Sequence, residues 1–328
     1  MNPEVSIVIV SMNNIKCLFP CLDSIKQHTS LSYETLVVAY MFSPENLDLL
    51  SQKYPWVTII ESNELRGFAE NNNLALEQAK GRYCFIVNDD TLMSMPVIDR
   101  LVEDMQQLPE NTAAISPKIV FPDGKVQTCG RGPWTPWRYL CHYLHMVDET
   151  KKTRWTMQEG IFQTYTLNGA CFLAKTDIFR SAGWFDTTYT FTPEDIALGT
   201  LFNKTGYLVY TDSDIEITHI ANATASRMEA AIKPTRVRGS LIFYSSLGNL
   251  TSPQGESRCN RLTYALLGSL IWCFEALRGI KYLFCDCSAK SERSCRNLIM
   301  RDTAANVRKN IFTHKSTKEI FVELYNKI

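Results

Sequence analysis

The sequence lacks an excess of charge of either sign, since 34 Lys and Arg residues balance 34 Asp and Glu residues in a chain of 328. Proteins that bind nucleic acids usually carry a basic surface, so this neutrality argues against a nucleic-acid partner. Glycine (15 residues) and proline (13) are infrequent, and 45% of the residues are hydrophobic. This globular composition excludes a disordered chain, a collagen-like fibre and a coiled coil.

The 11 cysteines lack the pattern of a disulfide scaffold or a zinc ribbon, because their number is odd and no two form a Cys-x-x-Cys pair. The sequence also has no uninterrupted apolar run as long as a membrane span. The apolar run near the N-terminus is too short for a signal peptide. We therefore expect reduced thiols and a cytoplasmic location.

The overall neutrality conceals a basic C-terminal region. Residues 258–328 contain 13 basic and 6 acidic residues (+7), which leaves 21 basic and 28 acidic residues (−7) in residues 1–257. Residues 262–284 are apolar up to Phe274 and then contain Glu275, Arg278 and Lys281. This segment can lie in a membrane interface or pack as a core or dimer helix. The basic charge favours the membrane, so we expect peripheral association with the inner face of the cell membrane.

The first 90 residues alternate between strand and helix patterns, which predicts an α/β fold with a largely parallel sheet. Ligands bind at the carboxyl ends of the strands of such sheets. Two polar clusters, residues 11–14 and 88–90, follow predicted strands and should meet at that edge. The predicted strands are Val5–Val10, Glu34–Ala39, Val57–Glu61 and Tyr83–Val87, and the predicted helices are Cys17–His28, Ser43–Lys53 and Phe68–Lys80.

The second part of the chain is less regular. Residues 117–137 predict loops and short strands, and residues 139–163 support no prediction. Beyond them we predict strands at Asn168–Ala174, Leu208–Tyr210 and Glu216–His219, and helices at Asp177–Ala182 and Glu194–Lys204. Four aromatic residues suit either a platform for a sugar acceptor or a core: Trp134, Trp137, Tyr139 and Trp155.

Adjacent carboxylates follow the fourth predicted strand. Asp89 and Asp90 repel each other, so a hard divalent cation such as Mg²⁺ or Mn²⁺ is a natural partner, although Asn and Asp also favour simple turns. Glu194 and Asp195 begin a predicted helix, where a fixed carboxylate is well placed as a general base.

Two further features each have a structural and a functional interpretation. A lone histidine such as His219 is more often structural than a metal ligand. Arg66 and Gly67 precede a helix N-terminus that can hold phosphate, although the arginine can equally be a solvated surface residue.

Five motifs occur in an order that resembles a known family: VSIVIVSMNN, YETLVVAY, RGFAENNNLALEQAKGRYCFIVNDDT, LNGACFLAKTDIFRSAGWFDTTYTFTPEDIALGTLFNKTGY and ITHIANATAS. They span Val5 to Ser226 and resemble family 2 glycosyltransferases of the GT-A fold, among them the rhamnosyltransferase-like enzymes of bacterial surface-polysaccharide assembly. The resemblance implies a Rossmann-like, mostly parallel sheet flanked by helices. It implies a GT-A domain at 1–235, with a nucleotide-sugar half (1–125) and an acceptor half (126–235), before a helical, basic region at 236–328.

The resemblance also implies an inverting transfer from a nucleotide-sugar donor to a saccharide or polyprenyl-linked saccharide acceptor, with Mg²⁺ or Mn²⁺ as cofactor. Asp90 and His219 match the metal and diphosphate site, and Asp89 matches a residue near the ribose or the sugar. Asp195 matches the general base, with Glu194 beside it. Further matches would contact or flank the donor: Ser11, Asn13, Asn14, Arg66, Gly67 and Asn72.

Three positions depart from the family pattern. Ala39 and Tyr40 replace the usual Asp that contacts the nucleotide base, which puts UDP as donor in doubt and leads to the hypothesis that Tyr40 stacks on the base. Ala197 replaces a second acid after the general base, and Leu201 stands where many members have Arg. These changes leave a non-catalytic sugar-binding or scaffold relative as an alternative. A sugar nucleotidyltransferase is less favoured, because residues 11–14 form no Gly-rich basic loop.

Overall fold

The computed structural model describes residues 2–147, 151–220, 228–246, 260–288 and 290–327. Two residues that bound segments of the sequence analysis lie outside the described ranges: Ser226, where the family motifs end, and Arg258, where the basic C-terminal segment begins. The first half contains β1 (Val5–Met12), α1 (Ile15–His28), β2 (Tyr33–Tyr40), α2 (Pro44–Lys53), β3 (Val57–Ser62), α3 (Phe68–Leu76), β4 (Tyr83–Asn88), β5 (Thr91–Leu92) and α4 (Val97–Gln107).

The second half begins with β6 (Thr112–Val120), β7 (Val126–Thr128), α5 (Pro136–Tyr143), β8 (Ile161–Thr164), β9 (Cys171–Lys175), α6 (Thr176–Ser181), α7 (Glu194–Lys204) and β10 (Leu208–His219). Four helices follow: α8 (Glu229–Ser246), α9 (Arg261–Leu283), α10 (Glu292–Asn310) and α11 (Thr317–Tyr325). The boundary predicted between residues 235 and 236 falls inside α8.

The strands form one mixed sheet in the order β3-β2-β1-β4-β9-β6-β10-β5, with β7 paired to β6 and β8 paired to β10. The β3-β2-β1-β4 side is parallel, as is the pair of β6 and β10, whereas β9 is antiparallel to both of its neighbours. Helices α1, α2 and α4 contribute to the core on one face, and α3, α6 and α7 contribute to the core on the other. The predicted α/β class with helices on both faces is confirmed.

Helix α3 ends at Leu76, four residues before the predicted end. The amides of residues 77–79 still bond back to carbonyls of the helix. The chain then turns away, because the Lys80 amide donates to Glu34 Oε1 (2.8 Å) and the Gly81 amide donates to Ser6 Oγ (2.8 Å). These bonds direct the chain into β4, where Gly81 lies directly against the backbone of β1.

The two strands predicted at 208–210 and 216–219 are one strand, β10. Its pairing with β6 shifts register between Asp212 and Glu216, so the polar residues that suggested a break form an irregularity inside the strand. The continuous strand extends to His219, which pairs with Thr91 of β5 directly after the two acidic residues that follow β4.

A buried carboxylate anchors α9. Glu275 is fully buried, and its Oε1 accepts a hydrogen bond from the Tyr143 hydroxyl (2.5 Å). The same oxygen lies 3.0 Å from Arg278 Nη1 and 3.3 Å from Lys233 Nζ. One charge therefore ties α9 to α5 and α8. Within the described residues, no helix combines the length and hydropathy needed to cross a membrane.

Helix α11 packs back against the part of the chain that forms the sheet. The Thr317 hydroxyl donates to the Thr188 carbonyl oxygen (2.6 Å), and Lys318 Nζ lies 2.6 Å from Glu70 Oε1 on α3. The ring of Phe321 packs edge-on against another aromatic ring, that of Phe191, with centroids 4.8 Å apart. The C-terminal helices thus form part of the same packed structure as the sheet.

Replacing Glu275 with Ala removes the anion that Lys233 and Arg278 share. Breaking a buried ion pair costs roughly 3–5 kcal/mol, so the free energy of unfolding in urea should fall by that amount. The control is Glu323→Ala, since Glu323 pairs only with surface lysines of its region and should not shift the unfolding midpoint. Equal midpoints for Glu275→Ala and the wild type would contradict the anchoring role.

Candidate active site

A cavity of about 380 Å³ lies at the carboxyl ends of β1, β2 and β4. The start of α3 and parts of α8 and α11 complete its wall. This is the edge at which the sequence predicted that two polar clusters would meet. Among its lining residues are Met12, Tyr40, Arg66, Gly67, Phe68, Asn71, Asn88, Asp89, Asp90, Gln127, His219, Ile232, Arg236 and Phe321.

The two adjacent carboxylates have different partners. The Ser11 hydroxyl, fully buried on β1, donates to Asp89 Oδ2 at 2.6 Å. Burial raises the pKa of Asp89 to about 7, and the negative charge of Asp90 acts in the same direction. Asp90 Oδ1 instead lies 3.1 Å from His219 Nε2. The structure therefore brings Ser11, Asp89, Asp90 and His219 together, as the family resemblance implies.

The tautomer of His219 follows from its second contact. Its Nδ1 lies 2.9 Å from Gln127 Oε1, an oxygen that can only accept, so the hydrogen belongs on Nδ1. In the neutral ring this leaves a lone pair on Nε2, to which Asn88 Nδ2 can donate at 3.3 Å. Metal-binding histidines are usually held in this way by an acceptor on the other ring nitrogen.

The donor set formed by Asp90 and His219 fits a divalent cation. It offers one carboxylate oxygen and one imidazole nitrogen on the cavity wall. Throughout the described ranges, no group of three or more His, Cys, Asp and Glu side chains is arranged to hold a metal. A Mg²⁺ or Mn²⁺ ion here would therefore take its other ligands from water and substrate phosphates, which is the usual arrangement for Mg²⁺.

Tyr40, Arg66 and Gly67 form the opposite wall. The Arg66 amide donates to the Tyr40 hydroxyl oxygen (3.2 Å), and burial raises the pKa of Tyr40 to about 12, so the hydroxyl stays neutral. The Arg66 guanidinium contacts Glu64 (2.8 Å) and remains partly accessible from the cavity. A Cβ on Gly67 would lie 2.0 Å from the Thr190 carbonyl oxygen, so only glycine fits this close approach.

Four predicted donor-binding residues do not line the cavity, and the first of them, Ser11, instead binds Asp89 from within β1. Asn13 has a positive φ of 49°, and its Oδ1 accepts from the Ser43 amide (3.1 Å) and the Asn46 side chain (2.7 Å), so it supports the loop after β2. Asn14 is the N-cap residue of α1. Asn72 is buried and donates to the Phe68 carbonyl oxygen (2.9 Å), whereas its neighbour Asn71 reaches the cavity.

The predicted base is held firmly at the start of α7. Asp195 Oδ2 accepts from Arg131 Nη1 (3.0 Å) and the Gly169 amide (2.9 Å), and Oδ1 accepts from the amide of the next residue, Ile196 (2.7 Å). A Cβ on Gly169 would lie 3.5 Å from the Phe68 ring and 3.6 Å from Asp195 Cβ. Phe68 lines the cavity, whereas Asp195 and Glu194 are not among its lining residues.

Glu194, the neighbour of Asp195, has a different environment. It is buried, and its Oε2 has no hydrogen-bond partner among the described residues. Burial and the charge of Asp195 both raise the pKa of Glu194, which favours its protonated form. The two acids are thus distinguished by their surroundings, since a guanidinium donates directly to Asp195 whereas burial dominates at Glu194.

Sequence reasoning missed three polar residues of the site: Gln127, Arg131 and Arg236. Gln127 and Arg131 lie in the segment predicted only as loops and short strands, where nothing in the local pattern marks them. Arg236 is on α8 and lines the cavity, and its Nε makes no hydrogen bond within the part of the chain that the structure describes. Its charge acts on Glu194. The sequence feature that could have identified Arg236 is the pair of cations at positions 233 and 236, near the start of a helical segment.

The aromatic residues proposed as an acceptor platform are divided between core and surface. Trp134 and Tyr139 are buried in a cluster with Tyr244, on which the ring of Tyr139 stacks at 4.5 Å. Trp137 is 67% exposed, and Trp155 is partly exposed beneath the guanidinium of Arg154. Only the last two therefore remain available to an acceptor.

Comparison with known proteins assigns the class. Residues 6–170, just over half of the chain, match the model of glycosyl transferase family 2. The chain therefore belongs to glycosyl transferase family 2. This confirms the family implied by the motifs, whereas the rhamnosyltransferase type stays a prediction.

Two curated relatives are much longer than this chain. The O-antigen biosynthesis protein RfbC of Myxococcus xanthus is 26% identical over 245 residues, which are 70% of this chain and 18% of that protein. The uncharacterized protein y4gI of Sinorhizobium fredii (strain NBRC 101917 / NGR234) is 22% identical over 252 residues, 72% of this chain and 26% of that protein. The chain thus spans about a fifth to a quarter of their length.

Two solved structures share the fold. The mannosyltransferase PcManGT from Pyrobaculum calidifontis, in complex with GDP-Man and Mn²⁺, aligns with a TM-score of 0.53 at 18% identity, over 100% of this chain and 87% of that one. GalNAc-T7 with UDP, GalNAc and Mn²⁺ aligns with a TM-score of 0.54 at 13% identity, over 80% and 56% of the two chains. These matches confirm the GT-A-like α/β fold.

Replacing Gln127 with Leu removes the acceptor that fixes the His219 tautomer. Loss of such an outer contact typically weakens metal binding 10–100-fold. The Mn²⁺ concentration that gives half-maximal binding, followed by calorimetry with a nucleoside diphosphate present, should therefore rise by about that factor. Gln106→Leu, at an exposed position of α4, is the matched control. A Gln127→Leu protein with the Mn²⁺ affinity of the wild type would exclude this role.

Replacing Arg236 with Ala removes a cation from the cavity. Hydrogen bonds to charged groups contribute about 1.5–3 kcal/mol, so the Kd for a nucleoside diphosphate should rise roughly tenfold or more. Arg236→Lys should recover part of the loss, because it keeps the charge without the planar geometry. Arg296→Ala on the surface of α10 should leave the Kd unchanged. Equal affinities for Arg236→Ala and the wild type would show that the arginine does not contact the diphosphate.

Proposed function

We propose that the protein is an inverting glycosyltransferase that moves a sugar from a nucleotide-sugar donor to a saccharide or polyprenyl-linked saccharide in cell-surface polysaccharide synthesis. The observation that carries the proposal is the Asp90–His219 pair on the cavity wall, together with the carboxylate of Asp195 that Arg131 and the Gly169 amide fix. The family supports glycosyl transfer, and the relative named for O-antigen biosynthesis supports the polysaccharide context.

In this proposal the cavity holds the donor by its diphosphate. Arg66 and Arg236 offer positive charge from two sides. Asp90 and His219 would hold Mg²⁺ or Mn²⁺, which stabilises negative charge on a leaving diphosphate. Tyr40 remains the candidate to stack on the nucleotide base, since it lines the cavity with a neutral hydroxyl.

Asp195 is the proposed general base. Arg131 and two backbone amides fix its carboxylate, and such fixed geometry is what a base needs to reach the acceptor hydroxyl. The acceptor oxygen forms a bond to the anomeric carbon as its proton passes to Asp195. The bond from that carbon to the diphosphate breaks, and the nucleoside diphosphate leaves. A single displacement of this kind inverts the anomeric centre, and no second carboxylate nucleophile is required.

The polyprenyl-linked form of the acceptor places the reaction at the inner face of a membrane. The basic C-terminal helices support this location, because cations are attracted to the anionic lipids of that face. The division into a donor half (1–125), an acceptor half (126–235) and a C-terminal region (236–328) remains part of the proposal. Helix α8 spans the boundary between the last two regions and also lines the cavity, so the two regions depend on each other.

Incubation with UDP-, GDP- and dTDP-sugars and Mn²⁺ or Mg²⁺ should release a nucleoside diphosphate from one donor, and EDTA should stop the release. Asp195→Asn and Asp90→Ala should each lower the rate by roughly 100-fold or more, because a positioned base alone contributes 10²–10⁴-fold. Asp177→Asn, an exposed acid on α6, should retain the wild-type rate.

Two results would count against this function. Release that persists in Asp195→Asn would remove Asp195 as the base. Absence of release together with absence of metal-dependent nucleotide binding would exclude catalysis, and the non-catalytic sugar-binding or scaffold relative would then be the better description.

A further inference from the structure

Helix α9 exposes apolar side chains along its whole length. Leu262 is 79% exposed and Leu277 is 69% exposed, values unusual for leucine in a packed protein. Just beyond the end of the helix, Phe284 is 87% exposed. The set of exposed large apolar residues, defined here as the outer face of α9, is Leu262, Leu266, Leu270, Trp272, Leu277, Ile280, Leu283 and Phe284.

Two of the three charges that interrupt the apolar sequence of α9 point inward. Glu275 is fully buried, and the side chain of Arg278 is only 14% exposed and pairs with it. These two residues anchor the helix from within and leave its outer face apolar.

Two cations mark the edges of the outer face. Successive residues of an α-helix are about 100° apart. Leu262 and Ile280 are 18 residues, or five turns, apart, so both point in the same direction from the helix axis, near the middle of the face. Arg261, one residue before Leu262, and Lys281, one residue after Ile280, point about 100° away from that direction, on opposite sides. An apolar centre with cationic edges is the pattern of a helix that lies in a lipid interface.

Helix α10 adds basic residues beside this face. Arg301 and Arg308 line a groove of about 490 Å³ together with Trp272 and Ile280. Asp302, the acid in the same groove, is neutralised by Arg301 at 3.2 Å. Tryptophan and arginine beside an apolar surface are the residue types favoured at the boundary between lipid and water.

Charge distinguishes a lipid surface from a second copy of the chain. The exposed positions of α9 include Arg261 and Lys281 but no carboxylate. A second copy of α9 presents the same two cations and no exposed carboxylate, so pairing this face with itself offers neither cation an opposite charge. Anionic lipid headgroups, in contrast, complement both cations.

We propose that α9 lies flat on an anionic lipid surface, with its outer face inserted among the headgroups and Arg261 and Lys281 bound to lipid phosphates. This proposal rests on the function proposed above, in which the polyprenyl-linked acceptor is held in a membrane that the protein must reach. It names the surface that brings the active site to that acceptor.

Flotation of the full chain with vesicles tests the proposal. The wild type should float with vesicles of phosphatidylglycerol and phosphatidylcholine, and should remain unbound with phosphatidylcholine alone. Higher salt should weaken binding, because the Debye length falls from about 10 Å at 0.1 M to about 3 Å at 1 M. Replacing both Arg261 and Lys281 with Gln should weaken binding roughly fivefold for each cation.

A double substitution, Leu270→Glu with Leu277→Glu, should lower the bound fraction roughly tenfold or more, because each removes a leucine from the buried apolar contact. Leu49→Glu, at an exposed leucine of α2, is the matched control and should bind like the wild type. Circular dichroism checks that the variants are folded. Both outer positions are exposed, so their replacement should leave the unfolding midpoint unchanged.

Three results would overturn the proposal. The first is equal flotation of the double variant and the wild type. The second is a wild type that does not float but sediments as a dimer, which the double variant converts to a monomer. The third is a monomeric wild type that binds neither vesicle. Release of nucleoside diphosphate from water-soluble donors, measured on the same proteins, separates these outcomes from failure of the proposed enzymatic function.

Discussion

The site depends on keeping two neighbouring carboxylates apart at the end of one strand. Asp89 and Asp90 would repel each other if they faced the same space, and the fold gives each a partner on a different strand. The Ser11 hydroxyl on β1 binds Asp89, and His219 on β10 faces Asp90. Because β10 and β4 are not neighbours in the sheet, this arrangement requires β10 to pair with the short β5 that directly follows the carboxylates.

The same constraint explains why polar residues of the site come from irregular segments. Gln127 reaches His219 from β7, a three-residue strand, and Arg131 reaches Asp195 from the loop after it. One short stretch of chain thus orients both the histidine and the proposed base. A change in this stretch would disturb the surroundings of His219 and of Asp195 together.

The sequence predicts best those features that depend on local pattern. The buried run of β1 and the acids after β4 follow from hydrophobicity and strand ends, and the start of α7 follows from its acidic first turn. Side-chain direction in loops is not encoded so locally. Asn13 turns toward the loop after β2, and Asn71 rather than Asn72 faces the cavity. In the sequence of α9, charged residues interrupt the apolar run. Only the packing in the structure shows that Glu275 and Arg278 face inward.

The cavity wall draws on residues from Val10 on β1 to Phe321 on α11. The wall is therefore complete only when every segment from β1 to α11 is in place. A form of the protein that lacks α11 would leave this side of the cavity open to water, even if its sheet is intact.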